Sequence, residues 1–355
     1  MHRPRIFEIV LALSALLISA PFATGWQSPA SPTQSQSPSN APESDARLRL
    51  MIDRGQSAEA LKILAQLKSQ PPVQPGVDRL RGMAFYAQNH LAEADAAFAD
   101  ALKLDPHDEE SSQMRGLTLF RLGRPAEAIP LLEAAHRWTS QTRADPNYVL
   151  ALCYIDTQNY DNARKAFATQ YGFPPDSAPA YLLAARMLLR REYLPIAQRF
   201  ATKALELDPQ LPLAHSLLGE IALAGQHLDV AIAEFEKERL RNPLDGNLYD
   251  RLGDAYTRSG DYIKAQQSLQ QALLLEPNST GPYIQLGKVL LKLQDPVNAM
   301  MYLERAERMD SGNYITHSLL GQAYRMIGRT EDATREAQIS QKIQDANQPK
   351  LESIH

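Results

Sequence analysis

The chain has one cysteine, Cys153, in 355 residues. A single thiol closes no internal disulfide, so the fold must be held by packing alone. Cys153 itself reads either as a small buried hydrophobe or as a reactive thiol open to an intermolecular bridge. Aromatic residues are scarce too, at 7% against 44% hydrophobic overall, which leaves a core built mainly from Leu and Ala and favours helix. Basic excess is lacking: 37 Lys and Arg face 41 Asp and Glu, for a net charge of −4. Nucleic-acid binding takes most of its affinity from cationic side chains on phosphates, so nucleic acid is disfavoured as a general partner. Only a local basic stripe would rescue it.

Signatures of catalysis and of cofactors are missing as well. The 8 histidines are scattered with no two at metal-ligand spacing, and neither an HExxH motif nor a Cys/His cluster occurs. The closest approach to a phosphate loop, Gly281…Gly287-Lys288, has one residue too many before its second glycine and is followed by Val289 instead of Ser or Thr. The acidic triplet Asp108-Glu109-Glu110 falls at a junction, where carboxylates favour the positive end of the next helix. The run Glu234, Glu236, Lys237, Glu238 and Arg239 reads as the solvated face of a helix. The expectation is a protein that is not an enzyme and uses no cofactor or metal.

What is present begins with an export signal over residues 1–25. His2, Arg3 and Arg5 make a cationic start, Ile9 to Ala20 is apolar, and Ala23-Thr24-Gly25 offers small residues before a cut ahead of Trp26. The apolar run is shorter than the roughly 20 residues that span a bilayer. Cleavage is therefore expected, giving a periplasmic or secreted protein. Glu8 and Pro21 make the signal imperfect, and its retention would anchor the chain to a membrane by residues 6–25. No cysteine follows the signal to take a lipid. Residues 26–42, rich in Ser, Pro and Gln, have little to bury and read as a disordered linker. Residues 346–355 read as a polar tail.

Between them, over residues 43–345, lies a repeat. Gly82, Gly116, Ala151, Ala185, Gly219, Gly253, Gly287 and Gly321 recur every 34 residues, with a single step of 35 between Gly116 and Ala151. A second comb of small residues, Ala94 to Ala333, runs twelve places behind, and Pro72, Pro106, Pro175, Pro209, Pro243 and Pro277 close units in phase. Self-similarity at this period marks a solenoid of stacked helix pairs, each of which buries its apolar face only against its neighbours. About nine units can be laid down, starting near Ala41, Pro75, Glu109, Ala144, Ala178, Pro212, Gly246, Thr280 and Tyr314. A small irregularity is expected near Trp138 to Tyr148.

Within the unit 246–279, Leu248, Leu252, Ala255 and Tyr256 recur at helical spacing, Ser259-Gly260-Asp261 breaks the helix, and Ala265, Leu269, Ala272 and Leu273 resume it. Asp261 is placed to cap the second helix, as Asp295 is in the next unit with Pro296 behind it. Pro125 and Pro195 sit at second-helix starts. Gly253 and Ala265 are expected to let the two helices approach, with Tyr256 and Leu269 filling the space beside them.

These residues resemble the tetratricopeptide repeat: Leu252-Gly253, Tyr256, Gly260, Ala265, Leu269, Ala272 and Pro277, with further copies through Gly82, Phe85, Ala94, Phe98, Ala101 and Pro106 and through Gly321, Tyr324, Gly328 and Ala333. The resemblance implies an all-α, right-handed superhelical solenoid of antiparallel helix pairs, acting as a non-catalytic scaffold whose concave surface, lined by first helices, holds a protein or peptide partner. The Lys/Asn/Arg clamp that some such domains use for C-terminal carboxylates has no matching set here.

If first helices line the concave surface, Met83, Tyr86, Leu117, Phe120, Tyr148, Leu152 and Ile155 present an apolar end. Arg186, Arg190, Arg251, Arg258, Lys288, Lys292 and Arg325 present a cationic end, interleaved with Glu220, Asp250 and Asp254. Such a groove suits a partner with apolar and acidic elements. Docking of an anionic polymer is the less favoured reading of the same stripe.

Overall fold

A computed structural model of the chain describes residues 41–72, 76–136 and 146–347. The expected export signal, the linker up to residue 40, most of the irregular stretch and the tail from residue 348 lie outside the described residues. Among those described there are eighteen helices and no strand. In pairs they are α1 (Ala41–Asp53) with α2 (Ser57–Lys68), α3 (Val77–Ala87) with α4 (Leu91–Leu104), α5 (Glu109–Arg121) with α6 (Pro125–His136), and α7 (Pro146–Asp156) with α8 (Tyr160–Tyr171). Next come α9 (Ala178–Arg190) with α10 (Leu194–Leu207), α11 (Ala214–Ala224) with α12 (Leu228–Arg241), and α13 (Gly246–Ser259) with α14 (Tyr262–Leu275). The series ends with α15 (Thr280–Lys292) and α16 (Pro296–Met309), then α17 (Tyr314–Met326) and α18 (Thr330–Asn347). The molecule is thus an all-α array of helix pairs. Six of the nine expected unit starts coincide with a first-helix start, and Val77, Pro146 and Ala214 each begin two residues late. α1 enters the expected linker by two residues, and α18 runs two residues into the expected tail.

Each first helix packs on its second, and each second helix on the next first helix. Successive first helices also approach one another along one face, from α1 to α17, whereas successive second helices do not. The α7–α9 step is the exception, where that approach is weakest. There, residues 172–177 link α8 to α9, a connection of the same length as residues 208–213 between α10 and α11.

The glycine comb has a different purpose from the small-against-small contact expected at Gly253. A Cβ on Gly253 would lie 2.5 Å from Leu269, and the same clash arises at Gly82 with Phe98, Gly219 with Phe235 and Gly287 with Leu303. In every case the obstacle sits sixteen residues on, in the partner helix, and is fully buried. The glycine is therefore the floor on which a large side chain of the second helix rests, with Ala265, Ala231 and their equivalents buried beside it.

Turns between paired helices repeat as well. Gly55, Asn89, Gly123, Gln158, Glu192, Gln226, Gly260, Gln294 and Gly328 all have φ between 60 and 84 degrees. This left-handed residue stops each first helix and aims the chain into the second. Asp261 and Asp295 then accept hydrogen bonds from Lys264 N and Asn298 N, both at 3.2 Å, which caps α14 and α16 as expected.

Candidate binding face

The face shared by first helices is a ladder of side chains that reach from one unit to the next. Glu220 on α11 sits between two guanidinium groups, 2.9 Å from Arg251 on α13 and 3.7 Å from Arg186 on α9. Arg251 also donates to Ser216 Oγ at 3.1 Å. Gln285 on α15 donates to Asp250 Oδ1 at 3.0 Å, and Arg191, just past α9, pairs with Asp156 at 2.5 Å. Arg258 lies 3.8 Å from Asp254, one turn back on its own helix. Asp250 is pushed up to about 6 by burial and then by the Asp254 carboxylate, against the pull of Arg251.

The expected cationic end divides in two. Arg186 and Arg251 are half-buried and share Glu220, so their charge is largely met within the array. Arg190, Lys288, Lys292 and Arg325 are exposed and have no acidic partner among the described residues. The apolar end, by contrast, is partly interior. Leu152 is a core residue at 8% exposure and Ile155 is fully buried, which removes both from any binding surface. Leu117, Phe120 and Tyr148 are half-buried and pack on the same core, Tyr148 with its ring edge on Phe167. Tyr86 lies beneath the Arg121 guanidinium, 4.6 Å from ring centre to carbon, and Met83 Sδ accepts from Arg49 at 3.8 Å. A first helix has two neighbours besides its partner, and helical periodicity alone does not separate a side chain that meets the next first helix from one that meets solvent.

Two acidic groups behave differently from one another. Asp108 caps α5 by accepting from Ser111 N at 3.1 Å and pairs with Arg79 at 3.1 Å, in line with a junction role for the triplet. The run on α12 is not a solvated face. Glu238 is 1% exposed and accepts from the backbone N–H groups of Leu213 and Ser216, at 3.0 and 3.3 Å. It caps α11 from the partner helix, a role no local pattern announces because the carboxylate stands 22 residues from the amide it serves. Its neighbour Glu236 accepts from Tyr256 of the following unit at 3.0 Å, and Glu304 does the same for Tyr324 at 3.1 Å. Burial and then these carboxylates push both phenols up to about 12, so they remain donors at neutral pH. Cys153 is fully buried, and burial pushes its thiol up to about 12, the state of an inert core residue.

Residues 246–279 match the family model of the tetratricopeptide repeat, and residues 83–170 match that of the anaphase-promoting complex (cyclosome) subunit 3. The chain is 22% identical over 271 residues to anaphase-promoting complex subunit 3 of Schizosaccharomyces pombe, covering 76% of this chain and 40% of that protein. It is 23% identical over 288 residues to superkiller complex protein 3 of Mus musculus, covering 78% of this chain and 18% of that one. The chain therefore spans well under half the length of these relatives. Among solved structures, YrrB, described as a TPR protein with an unusual peptide-binding site, aligns at 24% identity with a TM-score of 0.45, over 53% of this chain and 95% of that one.

Proposed function

We propose that this chain, an all-α array carrying tetratricopeptide repeats, is a non-catalytic scaffold that holds an acidic segment of a protein partner on the first-helix face. Proteins built from this repeat serve as interaction scaffolds, which supports a protein or peptide as the partner class. The observation that carries the finer reading is the contrast along the face. Most of its charged groups are cross-paired between units, whereas Arg190, Lys288, Lys292 and Arg325 stand exposed without an acidic neighbour among the described residues. Unpaired guanidinium and ammonium groups on a fixed helical frame receive carboxylates without first breaking an internal pair. Export remains part of the proposal through residues 1–25. No described helix is long and apolar enough to cross a membrane.

The test is capture by the full chain. Chemical cross-linking in the native compartment followed by mass spectrometry identifies partners of the wild type. Reversing Lys288, Lys292 and Arg325 to Glu should then lose the partner, while the far-ultraviolet circular dichroism stays unchanged, because exposed substitutions cost under about 0.5 kcal/mol each. Partner retention at unchanged affinity in low salt would show that another surface binds.

A further inference from the structure

We propose that Glu307, His317 and Glu336 form a binding site for one divalent first-row transition ion of the Zn2+ class, which ties α16, α17 and α18 together at the C-terminal end of the array. One donor atom from each of the three residues lies within 4.8 Å of the other two. His317 and Glu336 are 2% and 4% exposed, with Nδ1 of the ring 2.7 Å from Oε2 of the carboxylate. The other ring nitrogen, Nε2, is 3.0 Å from the carbonyl oxygen of Ser311 and donates to it. That arrangement would orient a metal-ligating imidazole, because the outer N–H is fixed on a carbonyl and the inner nitrogen faces the Glu336 carboxylate with which it would share the ion.

Charge points the same way. Two carboxylates face one imidazole, and Arg335, the arginine paired with Glu336, is more than half exposed and stands 3.5 Å from Glu336 Oε1. A divalent ion neutralises both carboxylates and takes the imidazole as a neutral donor, and the proton that Nδ1 shares with Glu336 leaves to solvent. Mixed imidazole and carboxylate donors suit Zn2+ and its neighbours better than Mg2+ or Ca2+, which prefer oxygen throughout. Donors at about 2.0–2.2 Å from a tetrahedral ion stand about 3.4 Å apart, so the three donor atoms, within 4.8 Å of one another, need to draw in by little more than an ångström.

The array contains its own control. His215 and Glu234 occupy the same positions three units earlier, with the same spacing and a distance of 2.6 Å. There the place of Glu307 is taken by Leu205, and among the described residues no third metal-ligating side chain joins the pair. The two pairs should therefore respond differently to metal.

Untagged full-length protein, stripped with EDTA, is dialysed against micromolar ZnCl2, and metal per chain is read by mass spectrometry alongside amide hydrogen exchange. The expected result is one Zn2+ per chain, slowed exchange in α16 to α18, and no change in α11 and α12. Glu307→Leu, on the half-buried side of the site, should weaken binding at least tenfold with the fold retained, and His317→Ala should abolish it. His215→Ala should leave the bound metal unchanged. Binding that survives Glu307→Leu, a chain that holds no Zn2+, or displacement of the ion by millimolar Mg2+ would overturn the assignment.

Discussion

Asp250 stands one turn from Asp254 on the first-helix face, and its folded pKa of about 6 lies above the unfolded value of about 3.9. Between those values the native state holds a proton that the unfolded chain has released. The stability this contributes is fully present below the unfolded value and is lost as the pH rises through about 6. Asp250→Asn keeps an oxygen to accept from Gln285 and removes the repulsion with Asp254. It should raise stability by about 1 kcal/mol at pH 7, after allowance for solvent screening, and by nothing at pH 3.5. Urea denaturation at the two pH values measures the difference, and equal gains at both would remove the electrostatic explanation. None of this could be read from the residues in isolation. Asp254 and Arg251 are visible beside Asp250, but Gln285 is 35 residues away, as Glu220 is 31 from Arg251, and the ladder that fixes their charge states exists only once units stack.

At the scale of the element, much of a helix pair was legible. Gly260 as the turn, Asp261 and Asp295 as caps, and Pro296 at the first position of α16 follow from local chemistry, because each acts within four residues of itself. The turns without glycine were not legible. Asn89, Gln158, Glu192, Gln226 and Gln294 occupy the left-handed region with a full side chain, and they are polar enough to read as ordinary loop residues. A side chain there costs about 1–2 kcal/mol, which glycine avoids at some loss of entropy. Gln158→Gly and Glu192→Gly should each stabilise the array by about 0.5–1 kcal/mol, seen as a higher thermal midpoint. Destabilisation by either would mean that its side chain makes a compensating contact.

Over the whole molecule, the array was readable from the sequence because eight weak signals in phase add up, whereas the binding face was legible only in part, because Leu152 and Ile155 lie in the core and the other apolar residues are half-buried. The same stacking sets how damage spreads. Ala265 is fully buried between α13 and α14, and Ala265→Glu would place an unpaired carboxylate there at a cost of several kcal/mol. Since each pair touches chiefly its neighbours, hydrogen exchange should accelerate in α11 to α16 and change little in α1 to α6. Uniform acceleration from end to end would contradict a one-dimensional array.

The weaker approach between α7 and α9 makes the array an uneven spring. Elsewhere two tiers of contact join successive units, first helix to first helix and second helix to the next first helix, and both resist bending. At this step the first helices share a buried core and a side-chain bridge between Asp156 and Arg191, without the close backbone approach of the other steps. Flexure should therefore concentrate in the middle of the molecule, where two stiffer arms swing about a joint. Paired spin labels across residues 158 and 192 should report a broader distance distribution than labels across 260 and 294, and equal widths would show a rod of uniform stiffness. A joint of this kind lets the cationic arm close on a bound segment while the N-terminal arm keeps its own alignment.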